Sequence, residues 1–163
     1  MLILGVDPGL QRTGWGIIRK EGSNLKFIGC GTLLSDSKLP LPARLFQLHE
    51  ALLEIITHHK PDVSAVEETF VNVNPASTLK LGQARGAILM TLSLAGLPVH
   101  EYSATNVKKT VTGSGRAEKE QVQALVEMLM PTSKAHIKGP DAADALAIAI
   151  CHSSHAVMSG VLK

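Results

Sequence analysis

Cysteine is nearly missing from this chain. Cys30 and Cys151 are its only two, and they stand far apart. Neither belongs to a pair with metal-site spacing, and isolated thiols fit a reducing compartment. Long apolar runs are missing as well. The longest, Ala87 to Val99, is interrupted by Thr91, Ser93, Gly96 and Pro98 and is too short to cross a bilayer. The first residues enter an apolar run directly, with no basic stretch ahead of a cleavable segment, so no signal peptide is expected. A soluble, cytoplasmic protein is the simple reading. Internal repeats and low-complexity segments are absent too. Charge of one sign is not in strong excess: a net +2 over 163 residues does not by itself call for a nucleic-acid partner.

The distribution of charge says more than its sum. No acidic residue falls between Glu68 and Glu101, where Lys80 and Arg85 lie, and Lys108, Lys109, Arg116 and Lys119 form a second basic group. Clustered positive charge on an acid-poor surface can hold a phosphate backbone. A solvated helix face is the plainer alternative. Hydrophobic residues at 45% and charged residues at 18% describe a globular chain, and the length suits one domain with a real core.

The chain is organised around its opening. Leu2 to Val6 reads as a strand buried on both faces, stopped by Asp7 and the turn signal Pro8-Gly9. Thr13 to Ile18 and Lys26 to Leu34 complete an antiparallel meander. Apolar residues at helical spacing then predict a helix over residues 42–58. Val63 to Val66 forms a fourth strand that runs into Glu67 and Glu68. A strand–helix–strand crossover is right-handed and yields parallel strands, so this strand is expected beside the first, with Glu67 near Asp7. A loop over residues 70–76 precedes a long helix from Ser77 to Gly96. Val99 to Tyr102 is the fifth strand, Ser103 caps a short helix through Val107, and Glu118 to Met130 is another helix. Thr132 to Pro140 reads as a loop. The last helix starts near Asp141 and reaches at least His152. Periodicity fades from Ser153 on, so one domain over 1–157 with a frayed end at 158–163 is expected.

Asp7 has two readings. It is a turn residue bonding its own backbone, or a carboxylate placed where buried charge needs a partner. Asp141 and Asp144 also have two. Spaced three apart in a first helical turn, they form a near capping box, or they offer two ionised carboxylates on one face. The sequence after them favours the second reading. Ala142, Ala143, Ala145, Leu146, Ala147, Ile148, Ala149 and Ile150 make a helix apolar almost all round, which must be buried against the sheet. Asp7, Glu67, Asp141 and Asp144 would then converge and repel unless a cation intervened. An all-oxygen set suits Mg²⁺ or Mn²⁺ rather than zinc. Two such ions perform in-line phosphoryl displacement.

The order of motifs carries a resemblance across most of the chain. Gly-Val-Asp-Pro-Gly and Thr-Gly-Trp-Gly open it. Ala65 to Phe70, Leu79 to Gly86, Ala117 to Lys119 and Asp141 to Ala149 continue it. Together they resemble the RuvC family of bacterial Holliday-junction resolvases. The resemblance implies an α/β, ribonuclease H-like fold: a five-stranded mixed sheet with helices on both faces. It implies a homodimer that binds four-way DNA junctions and makes paired symmetric nicks, leaving 5′-phosphate and 3′-hydroxyl ends, beside the RuvA–RuvB branch-migration complex. The family's metal-binding acids fall on Asp7, Glu67, Asp141 and Asp144, with Mg²⁺ expected, two ions per site, and Mn²⁺ substituting. DNA-binding positions fall on Phe70, whose ring would stack on an unpaired base, and on Lys108 and Lys119. Lys80 and Arg85 are further candidates, on a helix that alternatively serves the dimer. A kinase of the actin and sugar-kinase type opens on a similar strand and Gly-rich turn but needs two such domains. A junction-binding protein without catalysis would leave the acids as caps and turn residues.

Overall fold

The computed structural model describes residues 1–68 and 74–158. Three antiparallel strands come first: β1 (Leu2–Asp7), β2 (Arg12–Glu21) and β3 (Asn24–Leu34). Helix α1 (Leu41–His59) crosses over to β4 (Val63–Glu67), and α2 (Pro75–Leu94) crosses to β5 (Val99–Tyr102). Three helices close the chain: α3 (Ala104–Thr112), α4 (Lys119–Leu129) and α5 (Pro140–Met158). The sheet order is β3-β2-β1-β4-β5, with β1 antiparallel to β2 and parallel to β4. The mixed sheet and the pairing of β4 with β1 agree with the crossover argument.

Alternation along the strands builds two cores. Leu4, Val6, Ile17 and Val66 face α1 and α2 on one side. Ile3, Ile18, Val63 and Ala65 face α5 on the other, where α3 and α4 contribute Val107, Val122 and Val126. Helix α5 is therefore sandwiched between the sheet and two outer helices. This explains why every residue from Ala145 to Cys151 is buried.

Some boundaries move, each for a local reason. Helix α2 begins earlier than Ser77 because the Asn74 side chain accepts from the Ala76 and Ser77 amides. Ser103 caps α3 as expected, but that helix continues to Thr112 and stops at Gly113, whose φ of 79° suits glycine. A single 3-10 turn, Pro131–Ser133, interrupts the expected loop. Helix α5 does not fray at Ser153. It continues to Met158, with Ser153 buried, and the Ser153 and Ser154 hydroxyls donate to the Ile150 carbonyl. Polar residues that break the apolar pattern thus satisfy themselves on the helix backbone.

The seat of α5 depends on three glycines. Gly5, Gly14 and Gly16 fall on the face of β1 and β2 that meets α5. A Cβ at Gly5 would overlap the Ala145 carbonyl, one at Gly14 the Asp141 carbonyl, and one at Gly16 would come within 2.9 Å of the Leu146 amide nitrogen. The backbone of α5 thereby lies directly on the sheet. Gly5→Ala is expected to lift it, costing about 1–3 kcal/mol, as measured by urea unfolding monitored through circular dichroism.

Candidate active site

The site forms where β1 and β4 end. Their parallel register pairs Val6 with Val66, so the next residues, Asp7 and Glu67, emerge side by side at the carboxyl ends of neighbouring strands. A crevice opens beyond these strand ends. The turn after β1 does not use Asp7 to close itself. Thr13 Oγ1 accepts from the Gly9 amide at 3.2 Å and donates to the Gly9 carbonyl at 2.7 Å. The Asp7 carboxyl is left for the crevice.

Helix α5 supplies the third acid. Asp144 joins Asp7 and Glu67 around a cavity of about 210 Å³, whose wall also includes Lys108 from α3 and Lys119 from α4. Lys119 Nζ donates to Asp144 Oδ2 at 2.9 Å, although its side chain is 63% exposed. Asp141 is outside the cavity wall, although its charge acts on Asp7 and Lys119. Its Oδ2 accepts from Arg12 Nε at 2.7 Å across the β2–α5 contact. Both acids of α5 therefore pair with cationic side chains of other elements. A larger hollow, about 850 Å³, opens along α1 beside Glu50, Leu53, Glu54 and His58. It lies on the opposite face of the sheet from the acids, so chemistry rather than volume marks the site.

The electrostatics follow from burial. Desolvation, with the charges of Glu67 and Asp144 behind it, raises the Asp7 carboxyl to about 8. Burial also raises Glu67, helped by Asp144. Lys119 is raised by its hydrogen bond to Asp144. The three carboxyl groups have the chemistry of a hard-cation site: oxygen donors only, partly dehydrated, with a mutual repulsion on ionisation that a divalent ion would relieve. Among the described residues, no three acidic side chains are drawn together closely enough to ligate one ion as they stand. The donor set fits a divalent cation, and Lys119 and Arg12 occupy the carboxylates that would complete it.

The remaining site positions differ in what they do. Arg85 is mostly buried. Its Nε donates to the Glu67 carbonyl at 3.3 Å and its guanidinium pairs with Glu101, so it ties α2 to the ends of β4 and β5. Lys80 is exposed on α2. Phe70 lies outside the described residues. Arg12 was not singled out in the sequence, because its partner is 129 residues away. The glycine seat had a visible signal, Gly5 and the pair Gly14 and Gly16 at strand alternation facing an Ala-rich helix, which periodicity alone did not convert into a contact.

A family model described as crossover junction endodeoxyribonuclease RuvC matches residues 3–152. The chain belongs to the RuvC family. A RuvC from Methylorubrum populi is 58% identical over 153 residues, covering 94% of this chain and 80% of that protein. One from Rhizobium etli is 56% identical over 151 residues, covering 93% and 88%. Among solved structures, Thermus thermophilus RuvC in complex with a Holliday junction substrate superposes with a TM-score of 0.90 at 31% identity, covering 98% of this chain and 96% of that one. The yeast mitochondrial Holliday junction resolvase, at 14% identity and a TM-score of 0.68, shares the fold. RuvC membership agrees with the acid-lined crevice and makes the chain a crossover junction endodeoxyribonuclease.

The raised Asp7 carboxyl has a consequence for stability. Unfolded, the group titrates near 3.8; folded, near 8. Between those values the folded chain holds the extra proton, so its stability falls as pH rises through that window. Asp7→Asn removes the penalty. In metal-free buffer the variant is expected to melt at the same temperature as the unsubstituted chain near pH 4 and several degrees higher at pH 8, by differential scanning fluorimetry.

Proposed function

We propose that this chain resolves four-way DNA junctions as a homodimer, each protomer hydrolysing one phosphodiester bond with Asp7, Glu67, Asp141 and Asp144 as the metal-holding acids. The convergence of Asp7, Glu67 and Asp144 on one cavity beside Lys108 and Lys119 carries this reading. Two divalent ions held there, Mg²⁺ or Mn²⁺, would supply an activated water and neutralise charge on the leaving oxygen. The chain's own residues do the rest. Asp7 and Glu67, fixed by adjacent strands, define where the scissile phosphate must sit. Asp144 and Asp141, one helical turn apart, close the other side. Lys119 and Lys108 offer ammonium groups to the phosphate oxygens, which positions the backbone without reading its sequence. Water attacks phosphorus in line and the 3′ oxygen departs, leaving 5′-phosphate and 3′-hydroxyl ends.

The dimer reading draws on α2. Leu79, Met90 and Leu94 are exposed along it, with Gly82 and Gly86 between them, a stripe that permits close approach of a second copy. Two sites related by a twofold axis match two strands of like polarity in a junction. Phe70, three residues beyond Glu67, remains our candidate for stacking at the junction crossover, and Lys80 and Arg85 our secondary candidates for the DNA-facing side of α2. We expect action in the cytoplasm beside the RuvA–RuvB complex. Among the described residues, no helix is long and apolar enough to cross a membrane.

A labelled mobile four-way junction tests the reading. In Mg²⁺ the protein is expected to produce paired symmetric nicks, absent in EDTA. Asp7→Asn should lower nicking on the order of 1,000-fold while binding the junction with little change. Full cleavage by that variant would remove the acids from the chemistry. Binding itself should weaken steeply with salt, log K against log [salt] losing about one unit of slope in each of Lys108→Ala and Lys119→Ala. Unchanged slopes, measured by fluorescence anisotropy, would take these lysines off the backbone.

A further inference from the structure

The pairing of Arg12 with Asp141 is unexplained by either the fold or the acid cluster alone. Gly14 presses against the Asp141 carbonyl, so the main chain at this residue is fixed on β2. Its carboxylate is nevertheless turned to Arg12 rather than among the residues that line the cavity with Asp7, Glu67 and Asp144. Arg12 is 53% exposed at the start of β2 and uses only Nε on Asp141. Its Nη2 lies over Gly139, where even a Cβ would stop 3.7 Å away. No described residue pairs with either Nη group. The outer half of the guanidinium fork is therefore left to solvent at the start of β2.

We infer that Arg12 is a positioning residue of the nuclease site, holding Asp141 aside in the free chain and surrendering it to the acid cluster when a DNA phosphate engages the guanidinium. The inference rests on the acid-site reading given above. Physically it is an exchange of partners. An exposed arginine–carboxylate pair contributes little to stability, so it is readily given up. Arginine binds phosphate oxygens through two parallel donors, and the phosphate contact gains further from counterion release. Once the guanidinium is taken, Asp141 loses its hydrogen-bonded partner and becomes available as an oxygen donor beside Asp7 and Lys119, fixed at its Cα by Gly14. Cation binding and DNA binding then support each other, as linkage requires. Nicking would be confined to chains that already hold a backbone.

Mn²⁺ binding to the full-length protein, followed by electron paramagnetic resonance and calorimetry, tests the exchange. Without DNA, Arg12→Ala should bind Mn²⁺ about five- to tenfold more tightly than the unsubstituted chain. A four-way junction made uncleavable by methylphosphonate at the scissile positions should tighten Mn²⁺ binding by a similar factor in the unsubstituted chain, and by less than twofold in Arg12→Ala. Arg12→Lys, which keeps the charge and one donor, should restore the coupling in part. The double variant Arg12→Ala, Asp141→Asn separates partner exchange from a simple change of charge. If Arg12 acts through Asp141, Arg12→Ala has no effect in the Asp141→Asn background. Equal tightening in both backgrounds would overturn the inference, and so would unchanged Mn²⁺ affinity in Arg12→Ala with an unaltered melting temperature. Asp7→Asn tests the acid site itself: its loss of Mn²⁺ binding upholds that reading independently of every Arg12 arm.

Discussion

The close contact of α5 with β1 and β2 is the constraint on which the site depends. Strands β1 and β4 bring Asp7 and Glu67 together by register alone. They cannot supply a third acid, because the residues beside them on β2 and β5 are Gly14 and Tyr102. A helix must come down onto the sheet, and an ordinary helix–sheet contact through side chains would hold its first turn farther away. The missing Cβ atoms at Gly5, Gly14 and Gly16 remove that spacing. The small residues of α5 do the same from the helix side. Asp144 is thus carried to the strand ends by main-chain packing, which is stiffer than any arrangement of flexible side chains.

That packing sets up an electrostatic conflict and does not resolve it. Asp7 is pushed to about 8 because it is desolvated among like charges. Folding tolerates this because the group can keep its proton and because Lys119 and Arg12 lie against Asp144 and Asp141. Both cations come from exposed side chains of other elements, so neither is locked in place. A site built this way has its two α5 carboxylates balanced without metal, by cations that a divalent ion would have to displace. The cost in stability falls on Asp7 and Glu67, the two acids that burial raises.

Much of this was legible in the sequence, and the reasons differ by element. The buried opening strand, the meander and the crossover to β4 follow from short-range patterns and a chirality rule, so the adjacency of Asp7 and Glu67 could be reasoned from topology. The burial of α5 followed from its uniformly small and apolar composition. Asp141 and Asp144 could be placed on one helix face, but their partners could not, because Arg12 and Lys119 meet them only after the tertiary structure forms. Arg85 shows the same limit. Its local neighbourhood is basic and acid-poor, which reads as a DNA surface, while its guanidinium is engaged with the Glu67 carbonyl and with Glu101. The continuation of α5 past Ser153 was hidden because serines that return hydrogen bonds to Ile150 look like helix breakers in a linear reading.

The difference between the two α5 acids follows from their place in the helix. Asp144 lies one turn further in, on the cavity wall, and the cation that bonds to it is Lys119 on a neighbouring helix. Asp141 lies in the first turn beside Pro140, where the helix meets the mouth of the β1–β2 turn. Position places its carboxylate at the solvent edge, where Arg12 pairs with it, one helical turn before Asp144 in the crevice. Under the inference drawn above, a carboxylate with a fixed Cα that exchanges partners would be a bistable element of the kind that couples one ligand to another. Asp7 and Glu67 have no such freedom, because the strands that carry them are paired on both sides. The rigid part of the site is therefore the sheet with the main chain of α5 seated on it, and the adjustable part would be the Asp141 side chain.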